Sequence, residues 1–151
     1  MEQASVSEKP FLVLERTFPV TPEKVWRAWT QPEAISRWFG PGGPQPVSRA
    51  ELDLRPGGRF RICFGGADGN EHEAAGVYKE VVPDRKLVFT WVWPRTTPER
   101  ESLVTILFEK NSSGGTNMTF RHEQFFDETV RDNHRRGWTE TLAKLEQFLI
   151  S

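Results

Sequence analysis

The amino-acid sequence predicts an α+β domain, in which a curved antiparallel sheet of about seven strands packs around one long C-terminal helix. Two patterns predict this class. Over residues 47–123, apolar and polar residues alternate, and turn residues recur at intervals typical of short strands. After residue 127 the apolar residues recur every three or four positions, which is the period of an amphipathic helix. An antiparallel sheet has one face to cover, and such a helix can cover it.

Seven segments are predicted to be strands, after a flexible polar tail over 1–9 that precedes a single domain over 10–151. The strands are Phe11–Phe18, Val47–Leu54, Arg59–Phe64, Glu73–Val82, Lys86–Trp93, Ser102–Lys110 and Thr116–Glu123. Turn sequences rich in Gly, Pro, Asn and Asp separate most of them. The segment Pro94–Pro98, between the fifth and sixth strands, is predicted to be a polar loop.

Two short helices are predicted after the first strand, and the long helix is predicted to begin near Asp127. Thr21 can cap the first helix by accepting a hydrogen bond from a free backbone N–H, and Pro32 suits the start of the second. In the first helix Trp26 and Trp29 are three positions apart, so we expect one of them to lie at the rim rather than inside.

Charge and composition exclude several classes of protein. A balanced net charge of −1 gives no clustered positive field, so we predict no nucleic-acid partner. No apolar run reaches the about 18 residues that a transmembrane helix needs, so we predict a soluble protein without membrane insertion. The N-terminal residues lack the apolar stretch of a secretory signal, and the single cysteine, Cys63, excludes an internal disulfide. We therefore expect a cytoplasmic location.

Several short motifs occur in a specific order along residues 10–151. They are Arg16-Thr17-Phe18, Thr21-Pro22-Glu23-Lys24-Val25-Trp26, Trp38-Phe39-Gly40-Pro41, Asp53-Leu54-Arg55-Pro56-Gly57-Gly58, Gly76-Val77-Tyr78, Leu87-Val88-Phe89-Thr90-Trp91 and Gly137-Trp138. In this order and spacing the chain resembles the START-like (SRPBCC) superfamily. It is most similar to the branch named for the C-terminal domain of the activator of heat-shock-protein-90 ATPase.

This resemblance implies a helix-grip fold, often with a hydrophobic cavity between the curved sheet and the long helix. It implies no common reaction, because relatives include lipid carriers, hormone receptors, polyketide cyclases and co-chaperone domains. A shared fold does not by itself establish function. The function must therefore be argued from the residues of the cavity.

Bulky side chains on predicted inward faces are the candidates for lining such a cavity. The set comprises Trp29, Trp38, Phe39, Phe60, Phe64, Tyr78, Phe89, Trp91, Met118, Phe120, His122, His134, Trp138 and Leu142. One interpretation is a filled core. The other is a void where the sheet curves away from the first turns of the long helix, lined by these aromatic rings.

The three histidines show no spacing typical of a metal site, and we predict neither a metal nor a cofactor. His122 shares a strand face with Met118 and Phe120, and His134 lies on the apolar stripe of the long helix. The two could therefore approach each other across the cavity. Each is either a hydrogen-bonded histidine of the core or a polar group that orients a ligand.

Other residues carry weaker signals. Gly137 interrupts the long helix, and its lack of a side chain would let a neighbouring element approach closely. Cys63 has no His or Asn placed beside it by any motif, so we do not predict a nucleophile. Glu71 and Glu73 lie near a hairpin and are expected to face solvent.

The chain carries no recognisable catalytic motif, and we predict a binding module for a small apolar or aromatic ligand rather than an enzyme. The first alternative is a chaperone-linked interaction domain in the stress response. The second is a cyclase or hydrolase acting in the same cavity, with His122 or Tyr78 as proton donor. We expect a monomer or a weak homodimer.

Overall fold

In the computed structural model, which describes residues 9–41, 47–65 and 68–151, seven strands form a single sheet. The elements are β1 Phe11–Phe18, α1 Pro22–Thr30, α2 Pro32–Trp38, β2 Val47–Leu52, β3 Arg59–Gly65, β4 Glu71–Val82, β5 Lys86–Trp93, β6 Thr97–Lys110, β7 Thr116–Glu123 and α3 Glu128–Ile150. Apart from residue 9, the predicted tail over 1–9 lies outside the described residues.

The strands follow the order β1-β7-β6-β5-β4-β3-β2, and each neighbouring pair is antiparallel. β2 to β7 form a meander, and β1 returns to pair with β7 from Phe11 opposite Glu123 to Phe18 opposite Thr116. The predicted α+β class is confirmed, with its seven strands, its two short helices after the first strand and its long closing helix.

Side-chain caps fix where the helices begin. The Thr21 hydroxyl accepts a hydrogen bond from the Lys24 backbone N–H at 3.4 Å, and Pro22 occupies the first turn of α1. The Asp127 carboxylate accepts from the Val130 backbone N–H at 2.9 Å and so caps α3. The predicted helix starts at Thr21 and Asp127 are therefore confirmed.

The core lies between the sheet and α3. The helix buries Trp138, Leu142, Leu145 and Leu149, and the last three are 0% exposed. Burying each leucine stabilises the fold by about 1.5–3 kcal/mol relative to an exposed position. This apolar stripe, spaced at three and four residues, holds α3 against the sheet.

The predicted loop Pro94–Pro98 is confirmed over residues 94–96, and its last two residues are wrong, because β6 begins at Thr97 and pairs with Trp93 across a tight turn. The residues from Thr97 to Glu101 are mostly exposed, so this end of the hairpin extends beyond the buried part of the sheet. Where both faces of a strand are in water, apolar and polar residues need not alternate. This part of the sequence therefore lacks the period of two that indicates a strand.

The expectation that Trp26 or Trp29 lies at the rim is also wrong, because both side chains are buried. Trp26 packs edge to face on Phe108 of β6, with ring centroids 5.5 Å apart. Trp29 packs on Trp38 of α2 at 4.8 Å. α1 is covered on two sides, so the side chains of Trp26 and Trp29 both point into the core.

Within the described part of the chain, no helix has the length and apolar character needed to span a bilayer.

Candidate functional site

A cleft of about 790 Å³ opens between the first turns of α3, the end of α2 and the strands β3 and β5. Its apolar wall consists of Phe39, Phe64, Trp91, Trp93 and Trp138, and its remaining lining residues are Gly40, Pro41, Asp68, His72, Thr96, Asn133, His134, Arg136, Gly137 and Thr141. Gly40 and Pro41, which follow α2, contribute to this lining, and residues 42–46 lie outside the described residues.

The aromatic wall is continuous because neighbouring rings touch. Phe39 meets Phe64 at a centroid distance of 5.3 Å, and Trp91 meets Trp93 at 5.3 Å and Trp138 at 5.1 Å. Trp91 and Trp93 are two residues apart on β5, so the strand's period places both on the same face. The wall therefore offers flat apolar surfaces from the sheet, from α2 and from α3.

Gly137 keeps the α3 side of the cleft wide. A Cβ atom built on Gly137 would have the side chain of Pro41, at 4.0 Å, as its nearest neighbour. The expectation that this glycine permits a close approach is therefore wrong. Its missing side chain instead leaves open space along the cleft, and any larger residue at this position would project into that space.

The rim of the cleft is polar and carries both signs of charge. Asp68 and His72 are joined by a hydrogen bond of 3.0 Å between Oδ1 and Nε2. This bond, together with one from the Asn70 backbone N–H, lowers the pKa of Asp68 to about 2. Arg136 donates a hydrogen bond to the neutral amide of Asn133, and no carboxylate among the described residues forms an ion pair with it.

A second, much smaller space of about 20 Å³ lies deeper between the sheet and the short helices. It is lined by Trp29, Ile35, Phe39, Leu52, Phe60, Ile62, Tyr78, Leu87, Phe89 and Trp91. Phe39 and Trp91 border both spaces, so they separate this inner cavity from the cleft. A volume of this size accommodates roughly one water molecule or one ligand atom group.

His122 is fully buried in a chain of hydrogen bonds. Its Nδ1 accepts from the Trp138 indole N–H at 3.1 Å, so its Nε2 carries the proton and donates to the Ser102 hydroxyl at 2.7 Å. Ser102 in turn donates to the Trp91 carbonyl at 3.3 Å. Burial first, and then the neighbouring His134, holds the pKa of His122 well below its usual value. The imidazole is therefore neutral at physiological pH.

His134 is held in a similar way at the edge of the cleft. Its Nδ1 donates to the Val130 carbonyl at 2.8 Å, and its Nε2 accepts from the Trp93 indole N–H at 3.0 Å. Burial lowers its pKa as well. Both nitrogens of His122 and of His134 thus bond within the protein, so neither histidine has a nitrogen free for a ligand in this structure.

Two other buried polar groups have no hydrogen-bond partner among the described residues. They are the indole N–H groups of Trp29 and Trp91, whose side chains are each only 3% exposed. Both residues line the inner cavity. A buried donor without an acceptor is costly and uncommon in folded proteins.

The predicted lining residues divide into three groups. Five line the cleft, namely Phe39, Phe64, Trp91, His134 and Trp138. Six line the inner cavity, namely Trp29, Phe39, Phe60, Tyr78, Phe89 and Trp91. Trp38, Met118, Phe120, His122 and Leu142 border neither space and are buried in the core.

The polar rim was missed by the sequence reasoning. Asp68 and His72 belong to a hairpin region, and no sequence pattern places it beside α3. A signal did exist on the long helix, where Asn133, Gly137 and Thr141 recur every four residues and therefore share one face. The small and polar character of that face would have indicated a surface left unpacked.

The chemical groups at the site give little support to acid–base catalysis. For His122 to donate a proton, it must first lose a hydrogen bond inside the protein. Burial raises the pKa of the Tyr78 hydroxyl above its usual value, which makes it a weaker acid. Within the described ranges, no three His, Cys, Asp or Glu side chains are grouped to hold a metal ion.

Glu73 differs from the expectation that it faces solvent, because its side chain is only 11% exposed. Its carboxylate bonds to Arg61 at 2.7 Å and to Arg95 at 3.0 Å. These two guanidinium groups, Arg61 foremost, lower the pKa of Glu73. Glu71, about half exposed, pairs with Arg95 at 3.1 Å.

A family model described as Activator of Hsp90 ATPase homolog 1-like protein matches residues 19–149. Among solved structures, a protein from Rhizobium leguminosarum is 32% identical, with a TM-score of 0.74 and 93% of each chain covered. An AHSA1 protein from Silicibacter pomeroyi is 28% identical, with a TM-score of 0.81, covering 93% of this chain and 98% of that one. A protein from Nitrosomonas europaea is 29% identical, with a TM-score of 0.76 and coverage of 92% and 93%. No curated protein matches the chain in sequence.

Proposed function

This chain belongs to the family of Activator of Hsp90 ATPase homolog 1-like proteins, whose model matches residues 19–149. Because a shared fold does not by itself establish a function, we propose the function from the site itself. The protein binds a small apolar or aromatic molecule in the cleft between the sheet and α3. The observation that carries this proposal is the cleft of about 790 Å³ with a wall of five aromatic rings. Ligand sites of proteins are typically concave, mostly apolar and roughly 300–1,000 Å³ in volume.

The energetics favour a flat apolar ligand. A fused aromatic ring system that buries about 200 Å² of apolar surface gains roughly 5 kcal/mol from its removal from water, before the entropic cost of binding. The rings of Trp91 and Trp138 provide the surfaces against which such a ligand can stack or meet edge to face. Asp68 and Arg136 make the rim polar, so the apolar part of a ligand is expected to lie against the aromatic wall.

The test uses a ligand that matches the cleft and a variant that fills it. Naphthalene should bind saturably and change the fluorescence of the cleft tryptophans. Gly137→Leu places an isobutyl group in the cleft and should weaken binding at least tenfold. Ala143→Leu on the exposed side of the same helix is the matched control, and its affinity should equal that of the original protein.

Two results would contradict the proposal. One is the absence of saturable binding across a panel of naphthalene, sterols, fatty acids and aromatic polyketides, measured by both fluorescence and NMR. The other is binding that Gly137→Leu and Ala143→Leu reduce equally, since this would locate the ligand outside the cleft.

A second candidate is an interaction domain for an Hsp90-type chaperone, as the description of the matched family suggests. The observation that favours it is exposed apolar surface at Phe11, 39% exposed, and at Phe126, 56% exposed. A guanidinium group lies over each ring, Arg121 over Phe11 at 4.1 Å and Arg100 over Phe126 at 3.8 Å. Exposed aromatics beside arginines are common at protein interfaces.

An ATPase assay tests this second candidate. Addition of the protein should raise the turnover of purified Hsp90, and the variant Phe11→Ser with Phe126→Ser should lose that effect while it still binds naphthalene. If the original protein changes neither turnover nor sedimentation of the chaperone, the candidate is dropped.

A further inference from the structure

The indole N–H groups of Trp29 and Trp91 are the clearest unexplained polar groups in the described part of the chain. Each is buried, and each has no acceptor within the described residues. The other two indoles of the site, the buried Trp138 and the half-buried Trp93, differ, because Trp138 donates to His122 and Trp93 donates to His134. Two of the four indole N–H groups at the site therefore bond within the protein. The other two are positioned to donate a hydrogen bond to an acceptor atom of a ligand.

Of the two donors, only Trp91 belongs to a residue that borders the cleft. It lines the cleft and also the inner cavity, whereas Trp29 lines only the inner cavity. With Phe39 it separates the two spaces, so a group that passes between these rings leaves the cleft and enters the space of about 20 Å³. Only a group of about the size of one water molecule fits there.

The surroundings restrict the chemistry of that group. Among the side chains that line the inner cavity, only those of Trp29, Trp91 and Tyr78 carry a polar group. Arg136, the one Arg or Lys among the residues that line the cleft, is exposed at the rim. A carboxylate buried beside neutral donors alone would lose its hydration without gaining a counter-charge. A carbonyl oxygen is neutral, accepts two hydrogen bonds and brings no proton that needs an acceptor.

We propose, on the basis of the binding function above, that the ligand is a neutral aromatic carbonyl compound whose oxygen accepts a hydrogen bond from Trp91. Its ring system lies against the aromatic wall, and its carbonyl points between Phe39 and Trp91 toward Trp29. Hydrocarbons of the same shape bind more weakly, because they fill the cleft and leave the indole donor without an acceptor.

The experiment compares two ligands of nearly identical shape, 2-acetylnaphthalene and 2-isopropenylnaphthalene, by calorimetric titration. The ketone should bind about 5–10-fold more tightly than the alkene, as one added hydrogen bond to a buried donor implies. Trp91→Phe removes the donor and should bring the ratio close to one. Trp93→Phe is the matched control, because its N–H already bonds to His134, and the ratio should persist.

Each outcome decides the matter. Equal affinities of ketone and alkene in the original protein would leave the binding function standing and overturn this inference, as would a ratio that Trp91→Phe does not change. If neither ligand binds, the inference fails together with the binding function.

A second measurement uses the original protein and so needs no folded variant. The indole ¹H–¹⁵N signal of Trp91 should shift downfield with the ketone and not with the alkene.

Discussion

The imidazole rings of His122 and His134 meet edge to face inside the molecule, with centroids 5.3 Å apart and planes at 82°. His122 comes from β7 and His134 from α3, so the contact joins the sheet to the long helix. Hydrogen bonds assign one proton to each ring, and both rings are neutral. Protonation of either ring would place a charge in the core and break one of these bonds.

The free energy of unfolding should therefore fall as the pH falls below about 6.5, the usual pKa of histidine. The pKa of each histidine is lowered in the folded state, so the unfolded chain binds protons that the folded chain does not. Stability is complete above that pH and decreases by up to about 1.4 kcal/mol per pH unit per histidine below it. Urea unfolding at pH 5.0, 5.5, 6.0 and 7.5 measures the slope.

The control for this pH dependence removes one of the two buried rings. His134→Gln should reduce the slope between pH 5 and 7, because one fewer buried imidazole remains to take up a proton on unfolding. Constant stability across this range would contradict the assignment of two neutral buried rings.

Ser102→Ala should destabilise the protein by about 1–3 kcal/mol, because the buried N–H of His122 loses its only acceptor. The exposed Ser113→Ala should change stability by less than about 0.5 kcal/mol. Urea unfolding of both variants at pH 7.5 makes the comparison. Equal effects would show that the hydrogen-bond chain through His122 adds nothing to stability.

Gly137→Ala should stabilise the protein by about 0.5–1 kcal/mol, because alanine favours the helix and its Cβ meets only Pro41 at 4.0 Å. Gly76→Ala is the opposite case, since its Cβ would lie 1.9 Å from the Thr90 carbonyl oxygen. That variant should melt at a much lower temperature. Destabilisation by Gly137→Ala would mean that α3 needs this glycine for a reason other than cleft volume.

Glu73→Gln should lower stability by about 1–2 kcal/mol, because the carboxylate is nearly buried and bonds to both Arg61 and Arg95. Glu80→Gln, which removes an exposed pair with Lys86, should have an effect near zero. The lowered pKa of Glu73 means that its contribution is present at neutral pH and is lost as the pH falls below about 4.3. The difference between the two variants at pH 7.5 should therefore shrink as the pH is lowered below about 4.3.

Much of the fold could be predicted because local signals agreed with the final packing. Thr21 and Asp127 cap helices through contacts within three residues, so their sequence patterns are sufficient evidence. The start of β6 at Thr97 could not be predicted, since the hairpin end is solvated and no burial imposes alternation on it. Burial of both Trp26 and Trp29 depends on α1 being enclosed, which is a tertiary property.

The site was harder to predict than the fold. The sequence pattern shows that a residue faces inward, which indicates only that it is buried. It does not distinguish Trp91, which borders a cavity, from Phe120, which packs on Trp29 and Trp138 in the core. The cleft arises where side chains are missing, as at Gly137, and where chain segments distant in sequence fail to meet. The lack of an acceptor for the indole N–H groups of Trp29 and Trp91 could not be predicted either, because it depends on distances that only the folded structure defines.

The pairing of β1 with β7 has a consequence for how the chain is made. Thr17 and Asn117 are register partners although 100 residues separate them. On the ribosome, the apolar side of β1, including Leu12 and Phe18, has no strand to join until β7 has been translated. Such distant pairing is slow to form and leaves apolar segments open to aggregation in the meantime. A nascent chain that stalls before β7 therefore exposes this apolar side of β1 for longer than a released chain does.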